Sequence, residues 1–555
     1  MKKVNKFKKL VFLPVVFIVV YLLFGAAFKP QDDIFEKINR NLDIFGNMYK
    51  TLALDYVDEL DVDKFMRAGI DGMLSTLDPY TTFYDENSKS EIDLITLGKF
   101  GGIGVTIEQR DSSVLITDVL QGYQADKKGL RCGDKILEID GINISGFKPD
   151  KIRKMVRGDV GTTVRFKIER NSEPMDFLLV REEINLKNIP YYGFIGNDAD
   201  GIGYIKLDRF TNTADNEMEN AIKTLKSKQN LTGLVIDLRG NGGGLLEEAI
   251  GILNKLVNKN SLLLITKGKN SDKDEKIFSK SEPILPESIP LIILINNQTA
   301  SASEIVAGAV QDLDRGLIIG SRSFGKGLVQ QIKDLPYGTK MKLTTRRYFT
   351  PSGRWIQEKN YFKENKYGVF VDKLLLQQTE FRTLNGRLVY ANGGITPDVA
   401  VDTAGQSEVF LSLQSQNAFF KFANYYLESH QGLKSFTCTD EVFAEFLEYL
   451  NSNNITYNST ESKKINEIKS AAEKKNYGNE FYSRLNELAN EISAENKKEI
   501  SEYKDELKRA LETEIRKQLY PEDERIAASL GNDNTVEKAV YFIQNISEYN
   551  KLLNK

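Results

Sequence analysis

The stretch "IPLIILINNQTASASEIVAGAVQD", Ile289 to Asp312, decides the fold. Its first seven residues are an uncharged run of branched apolar side chains, the pattern of a strand buried on both faces. "NNQT" breaks the run, and "SEIVAGAVQD" reads as a helix. A buried strand feeding directly into a helix is the joint from which α/β cores are built. Outward from it, "GIGYIKLDRF" (201–210), "LTGLVIDLRG" (231–240) and "GLIIG" (316–320) read as further strands. "TADNEMENAIKTLKSK" (213–228) reads as a helix with acidic residues in its early turns, where they complement the dipole. "KGKNSDKDEKIFSKSE" (267–282) reads as a solvated loop. Residues 184–405 are therefore expected to form an α/β core.

Ser301 and Ser303 sit at the strand–helix joint, where a serine serves as a helix cap or as a nucleophile. A serine nucleophile needs a base. The chain has one histidine, His430, in "YYLESHQG", which reads as a polar residue near a helix end. Carboxylates and lysine remain. A lysine qualifies only when neutral, which burial in an apolar site promotes. "GSRSFGKGLVQ" (320–330) places Lys326 between Gly325 and Gly327, with Gln330 four positions on and able to hold an amine. Taken alone, these residues favour an ordinary surface lysine in a loop.

Residues 98–183 change character. "GKFGGIGVTIEQRDSSVLITDVL" (98–120), "ADKKGLRCGDKILEIDGINI" (125–144) and "KPDKIRKMVRGDVGTTVRFKIER" (148–170) describe a small β-rich module with one helix near Asp150–Val156. The "GGIGV" loop, the "GLRCGDKILEIDG" core and the "GTTVRFKIER" strand, in that order, resemble a PDZ domain. Glycines let successive N–H groups face one concavity that suits a carboxylate. An extended peptide can then add as a strand. The resemblance implies that the carboxylate sits on the backbone of Gly102, Ile103 and Gly104.

"TASASEIVAGAVQD" followed by "GSRSFGKGLVQ" resembles the C-terminal processing peptidases, also called tail-specific proteases. "DLRGNGGG" (237–244), "RRYFTPSGRWIQ" (346–357) and "NGGITPDVAV" (392–401) match further blocks of that family, over roughly residues 35–403. The resemblance implies a multidomain α+β protein: a crotonase-like α/β protease core, a PDZ-like β domain, and helical regions at both ends. It implies a Ser–Lys dyad, with Ser301 as nucleophile, Lys326 as base and Gln330 supporting the lysine. Ser303 is then expected to cap the helix. The oxyanion donors are expected to be the N–H of Ala302 and that of Gly243 or Gly244, of which Gly243 is chosen. Arg157 matches a position that couples tail binding to activation. No metal or organic cofactor is implied, and dimers joined through terminal helices are. Two positions depart from the family pattern. Gly242 stands where proline is common, and Tyr80, in "LDPY", where histidine is frequent. Motif order places Tyr80 far from the dyad.

The rest of the chain bounds the setting. At 555 residues it exceeds one ordinary domain, and a formal charge of −3 gives no pull toward nucleic acid. Cys132 and Cys438 form neither a metal-spaced pair nor a disulfide framework. Five lysines precede the uncharged run Leu10–Phe28, long enough to cross a bilayer. The positive-inside rule then puts everything after Lys29 outside the cytoplasm. An uncleaved anchor in residues 1–29 is expected, followed by a helical region over 32–97. Residues 406–555 shift to Lys, Glu and Asn. There Ile500, Tyr503, Leu507, Ala510, Leu511, Ile515 and Leu519 form one helical stripe, with Asp505–Arg509 and Glu512–Arg516 pairs on its wet face. The expected activity is membrane-anchored, extracytoplasmic proteolysis of protein C-terminal tails. A binding scaffold using the PDZ-like module alone is the alternative, and a crotonase-like enzyme of small molecules a third.

Overall fold

The computed structural model describes residues 32–86, 88–110, 113–197, 200–269, 272, 274–359, 361, 379–401 and 406–555. The expected anchor, Leu10–Phe28, lies outside them. Among the described residues no helix is long and apolar enough to cross a membrane. The chain divides into two compact units, Met1–Pro79 and Tyr80–Lys555.

In the first unit, helices Asp32–Asp55 and Val62–Leu74 meet through Tyr49, whose ring stacks on Phe65 at 5.7 Å and whose hydroxyl donates to the Val62 carbonyl. Asp61 caps the second helix by accepting from the Lys64 N–H. The expected helical region 32–97 is thus not uniform. Residues 80–97 fold with the larger unit, where Thr82–Tyr84 is a strand paired with Lys340–Lys342 and Lys89–Leu97 is a helix.

The α/β core is a six-stranded sheet in the order Tyr191–Ile195, Ile202–Lys206, Gly233–Asp237, Leu291–Ile295, Leu317–Gly320, Val399–Ala400. The first pair is antiparallel and the rest parallel. Every residue of Gly233–Asp237, Leu291–Ile295 and Leu317–Gly320 is buried, which is why these strands read as unbroken apolar runs. Helices Ala214–Lys228, Leu246–Leu256 and Ala302–Asp312 cover one face. The other is covered by Leu530, by Val536, Ala539, Phe542, Ile543 and Tyr549 of the last two helices, and by Leu553 just after them. The Tyr549 hydroxyl donates to the Leu291 carbonyl, between the strands. The end of the chain is therefore a layer of the α/β core as well as an appendage to it.

A second sheet runs Thr82–Tyr84, Lys340–Phe349, Leu262–Lys267, Glu275–Phe278, with Leu328–Asp334 also paired to Lys340–Phe349. Glu275–Phe278 corrects the solvated-loop expectation. It is an outer strand, and edge strands carry charge because one flank stays in water.

Residues 98–183 form the expected β module. Its sheet runs Val105–Arg110, Ser113–Val119, Lys135–Ile139, Thr163–Arg170, Glu173–Val180 around Ile116, Ile139, Phe166 and Ile168, with helix Pro149–Val156 packed by Ile152 and Val156. It rests on the C-terminal helices. The Arg110 guanidinium lies 4.4 Å over the Phe420 ring, and Asn171 donates to Glu428.

Those helices enclose an aromatic core of Phe419, Phe422, Phe443 and Phe446, to which Leu507, Leu511 and Ile515 contribute fully buried side chains. The expected single stripe is interrupted. Asn479–Glu502 ends before Tyr503, which is exposed, and Lys504–Leu519 starts after it. Glu512–Arg516 pairs, but partly buried, because Glu512 also accepts from the Cys438 N–H; Asp505 and Arg509 form no ion pair among the described residues.

Candidate active site

Ser301 stands where strand Leu291–Ile295 has ended and helix Ala302–Asp312 begins, at the carboxyl edge of the parallel strands, where open α/β sheets place their chemistry. Its backbone has φ 57° and ψ −116°, a conformation that costs a non-glycine residue about 1–3 kcal/mol. The strain is held in place from several sides. Glu304 accepts from the Ser301 N–H at 2.8 Å, and the Ser301 carbonyl accepts from the Tyr348 hydroxyl at 3.2 Å. Burial pushes the Tyr348 phenol well above its ordinary range, so it stays a proton donor. Ser303 corrects the capping expectation. The N-cap is Ser301, and the buried Ser303 hydroxyl donates to the Asn241 carbonyl, fastening the helix to the glycine turn.

Glu304 is the residue the sequence reading missed. Its side chain is 0% exposed, and it accepts from Ser301 N–H, Ser323 Oγ–H (2.6 Å), Gly325 N–H (2.7 Å) and Lys326 N–H (2.9 Å). Burial raises its pKa, and the four donors oppose that rise. One carboxylate thus registers the backbone of Ser301 against that of Lys326. The opposite side of the lysine loop is held by "SGRWIQ". Trp355 Nε1 donates to the Gly327 carbonyl, and the Gly327 N–H donates to Gln357 Oε1, both at 2.8 Å. The flanking glycines are required by this packing. A Cβ on Gly325 would lie 2.6 Å from that of Glu358, and one on Gly327 2.6 Å from Trp355 Nε1. Arg354, 1% exposed, pairs with Asp312 at 2.8 Å and ties "SGRWIQ" to the far end of the nucleophile helix.

Gln330 lies at an irregularity in the pairing of Leu328–Asp334, a device that re-aims a side chain beside a site. Its amide nitrogen donates to Thr344 Oγ1 at 3.0 Å, which leaves the carbonyl oxygen to face elsewhere. Lys326 Nζ lies 4.3 Å from the centroid of the Tyr80 ring. Tyr80 is therefore at the lysine, not remote from it as motif order implied. Strand Thr82–Tyr84, paired to the lysine's own sheet, carries it there.

Gly243 lies against Ser301: a Cβ on it would approach Ala302 N and Ser301 Cβ to 2.9 Å each. Its φ is +97°, which independently requires glycine. Its N–H, however, donates to Asn241 Oδ1 at 2.8 Å. The Ala302 N–H, in the first turn, has no partner among the described residues. Gly242 has open space around its would-be Cβ, so proline's absence there is not dictated by packing. The turn is anchored by Asp237, 2% exposed. Burial alone would raise its pKa, but Lys206 and Arg239 outweigh that and hold it low. Tyr204 donates to Asp237, and Arg239 also pairs with Asp533, the cap of a C-terminal helix, at 2.7 Å.

One cavity of 2440 Å³ is lined by Ser301, Ala302, Lys326, Gln330, Gly243 and Gly244, and also by Gly102, Ile103, Gly104 and Arg157 of the β module. Ile103 and Gly104 lie between strands Lys99–Gly102 and Val105–Arg110, and their N–H groups have no partner among the described residues. The Arg157 guanidinium lies 4.4 Å over the Phe100 ring. His430 ends helix Ala418–Ser429, stacked on Tyr426. Among the described residues no cluster could hold a metal ion.

Residues 201–369 match Peptidase family S41, residues 101–179 a PDZ domain, and residues 409–543 a "probable PDZ-protease, C-terminal helical domain". A carboxy-terminal-processing protease of Bartonella bacilliformis is 37% identical over 318 residues, covering 56% of this chain and 72% of that one. The chain belongs to this family of carboxy-terminal-processing serine proteases. A probable CtpA-like serine protease of Staphylococcus aureus is 33% identical to this S41 peptidase, over 58% of its chain and 63% of the relative's. Among solved structures, the photosystem II D1 C-terminal processing protease matches with 26% identity and a TM-score of 0.38, over 64% of the peptidase and 92% of that chain.

Proposed function

We propose that this S41 peptidase is an endopeptidase that captures a protein's free C-terminal carboxylate on Gly102, Ile103 and Gly104 and cleaves that protein with a Ser301–Lys326 dyad. The observation that carries the reading is the Glu304 carboxylate, bonded to the backbone of both residues at the wall of one cavity. In this mechanism neutral Lys326 takes the Ser301 proton as the hydroxyl attacks the scissile carbonyl. It then returns the proton to the leaving amine, and water hydrolyses the acyl-enzyme. Gln330, pinned by Thr344, directs its carbonyl oxygen to the amine. Ala302 N–H supplies one oxyanion donor. Gly243 N–H supplies the second by exchanging Asn241 Oδ1 for the substrate oxygen, so catalysis includes a small movement of the glycine turn. Arg157 links occupancy of the β module to that movement across the shared cavity.

Leu10–Phe28 anchors the chain in a membrane with the catalytic part outside the cytoplasm, which the five preceding lysines support. Ile34, Phe35, Ile38 and Leu42, exposed on one helix, support self-association through the N-terminal unit.

The reading is tested with a fluorophosphonate probe and an unstructured protein substrate bearing either a free or an amidated C-terminus. The probe is expected to modify Ser301 alone, and amidation to lower kcat/KM by about 10–100-fold through loss of a charge-assisted anchor. Modification of another serine with Ser301 untouched would overturn the assignment. Equal turnover of the two substrates would remove the carboxylate site. Gly243→Ala is expected to reduce kcat by about 10²–10³-fold with little change in KM, because the added methyl displaces the turn from Ala302.

A further inference from the structure

We propose that Tyr80 is a positioning residue for the base: its ring face seats the ammonium that Lys326 becomes when it takes the serine's proton. The inference rests on the dyad reading and adds to it a second group acting on the lysine.

The geometry is specific. Lys326 Nζ is 4.3 Å from the Tyr80 ring centroid, inside the range in which an aromatic quadrupole attracts a cation. The ring is itself held. The Tyr80 hydroxyl is 3.0 Å from that of Tyr361, and the two rings meet edge to face at 5.8 Å. Strand Thr82–Tyr84, locked in register with Lys340–Lys342, fixes the backbone two residues on. Both Tyr80 and Lys326 are half-buried, so the attraction is less screened than at an open surface.

Several ionisable groups near the lysine, among the described residues, have partners of their own. Glu304 is committed to four donors and meets the lysine through its backbone N–H. Tyr348, on strand Lys340–Phe349, remains a neutral donor to Ser301. Lys342 and Arg346 of the same strand line the cavity, and Arg346 is paired with Glu275. On the lysine's own loop, Arg322 is paired with Glu358.

A ring that favours the charged amine acts twice. In the resting enzyme it opposes deprotonation, so a higher pH is needed to make the base. In the transition state it stabilises the positive charge arriving on Nζ, so the deprotonated enzyme reacts faster. The two effects cancel below the acid limb, where the resting amine and the transition-state amine are both charged. They separate above it, where only the transition state is charged.

The test is the pH profile of kcat/KM for wild type, Tyr80→Leu and Tyr80→Phe on one peptide substrate. Tyr80→Leu is expected to move the acid limb down by about half to one pH unit and to lower the plateau by about 3–10-fold. Its profile should merge with wild type at low pH, and KM should not change. Tyr80→Phe keeps the ring face and should track wild type. Coincident wild-type and leucine profiles would overturn the proposal. So would a phenylalanine variant as impaired as the leucine one, since the hydroxyl contact to Tyr361 would then be the active element. A uniform drop at every pH would mark a merely structural role and overturn it as well. Wild type that cleaves nothing at any pH refutes the dyad reading instead, so the two failures are distinguishable.

Discussion

Ser301→Ala and Lys326→Ala are each expected to abolish peptide-bond hydrolysis, by at least about 10⁴-fold in kcat, while a C-terminal peptide still binds the β module. If the proposed dyad acts as a unit, the double variant should lose little more than either single one. Binding survives because Gly102, Ile103 and Gly104 belong to a module with its own core, built on Ile116, Ile139 and Phe166. Stability separates the variants further. Ser301 is held at φ 57°, where glycine carries little penalty. Ser301→Gly should therefore be as inactive as Ser301→Ala yet unfold at higher denaturant, by roughly 1 kcal/mol. Denaturation curves alongside single-turnover assays check both halves. Residual turnover in Lys326→Ala equal to wild type would end the dyad assignment, and a less stable glycine variant would refute the strain.

Glu304→Ala is the second large effect. It removes one acceptor and leaves three backbone N–H groups and the Ser323 hydroxyl without it, in a site with no exposure. A buried donor without a partner costs about 1–3 kcal/mol, and entry of water limits the sum. A destabilisation of about 3–5 kcal/mol is expected, the range seen when one member of a buried charged network is deleted. Activity should fall further than stability, because misregistration of about 1 Å between Ser301 and Lys326 costs about 10²-fold. Glu304→Gln retains an acceptor oxygen but turns an NH₂ toward N–H donors, so it should fall between wild type and alanine. The check is kcat measured at a temperature where denaturation curves show the variant fully folded. Normal kcat in a folded Glu304→Ala protein would show that the lysine loop is held without it.

The buried strands and the nucleophile helix were legible because a strand covered on both faces must be apolar throughout, and Leu291–Ile295 is. Lys326 was not legible from its own residues. A lysine between glycines reads the same on a surface loop as in an active site, and only the resemblance of several blocks separated the two. Glu304 was hidden because a carboxylate in a helix's first turn has an ordinary explanation in the dipole. Its second set of partners, Ser323, Gly325 and Lys326, lies on another element. Order along the chain does not give distance for Tyr80: strand pairing brings it to a lysine more than 200 residues later in the sequence. Glu275–Phe278 looked like a loop because an edge strand is charged on the side that faces water. The periodicity of the last helices showed that they had an apolar face. It could not show that this face closes the protease sheet.

That closure has a consequence for timing. Val235, Ile292, Leu294 and Ile319 are covered by side chains that lie some 200 residues or more later in the polypeptide. During synthesis the nucleophile, the lysine and the glycine turn all emerge before their sheet can be sealed, and Arg239 waits as long for Asp533. A nascent chain thus carries Ser301, Lys326 and the glycine turn before the layer that covers this face of their sheet has been made.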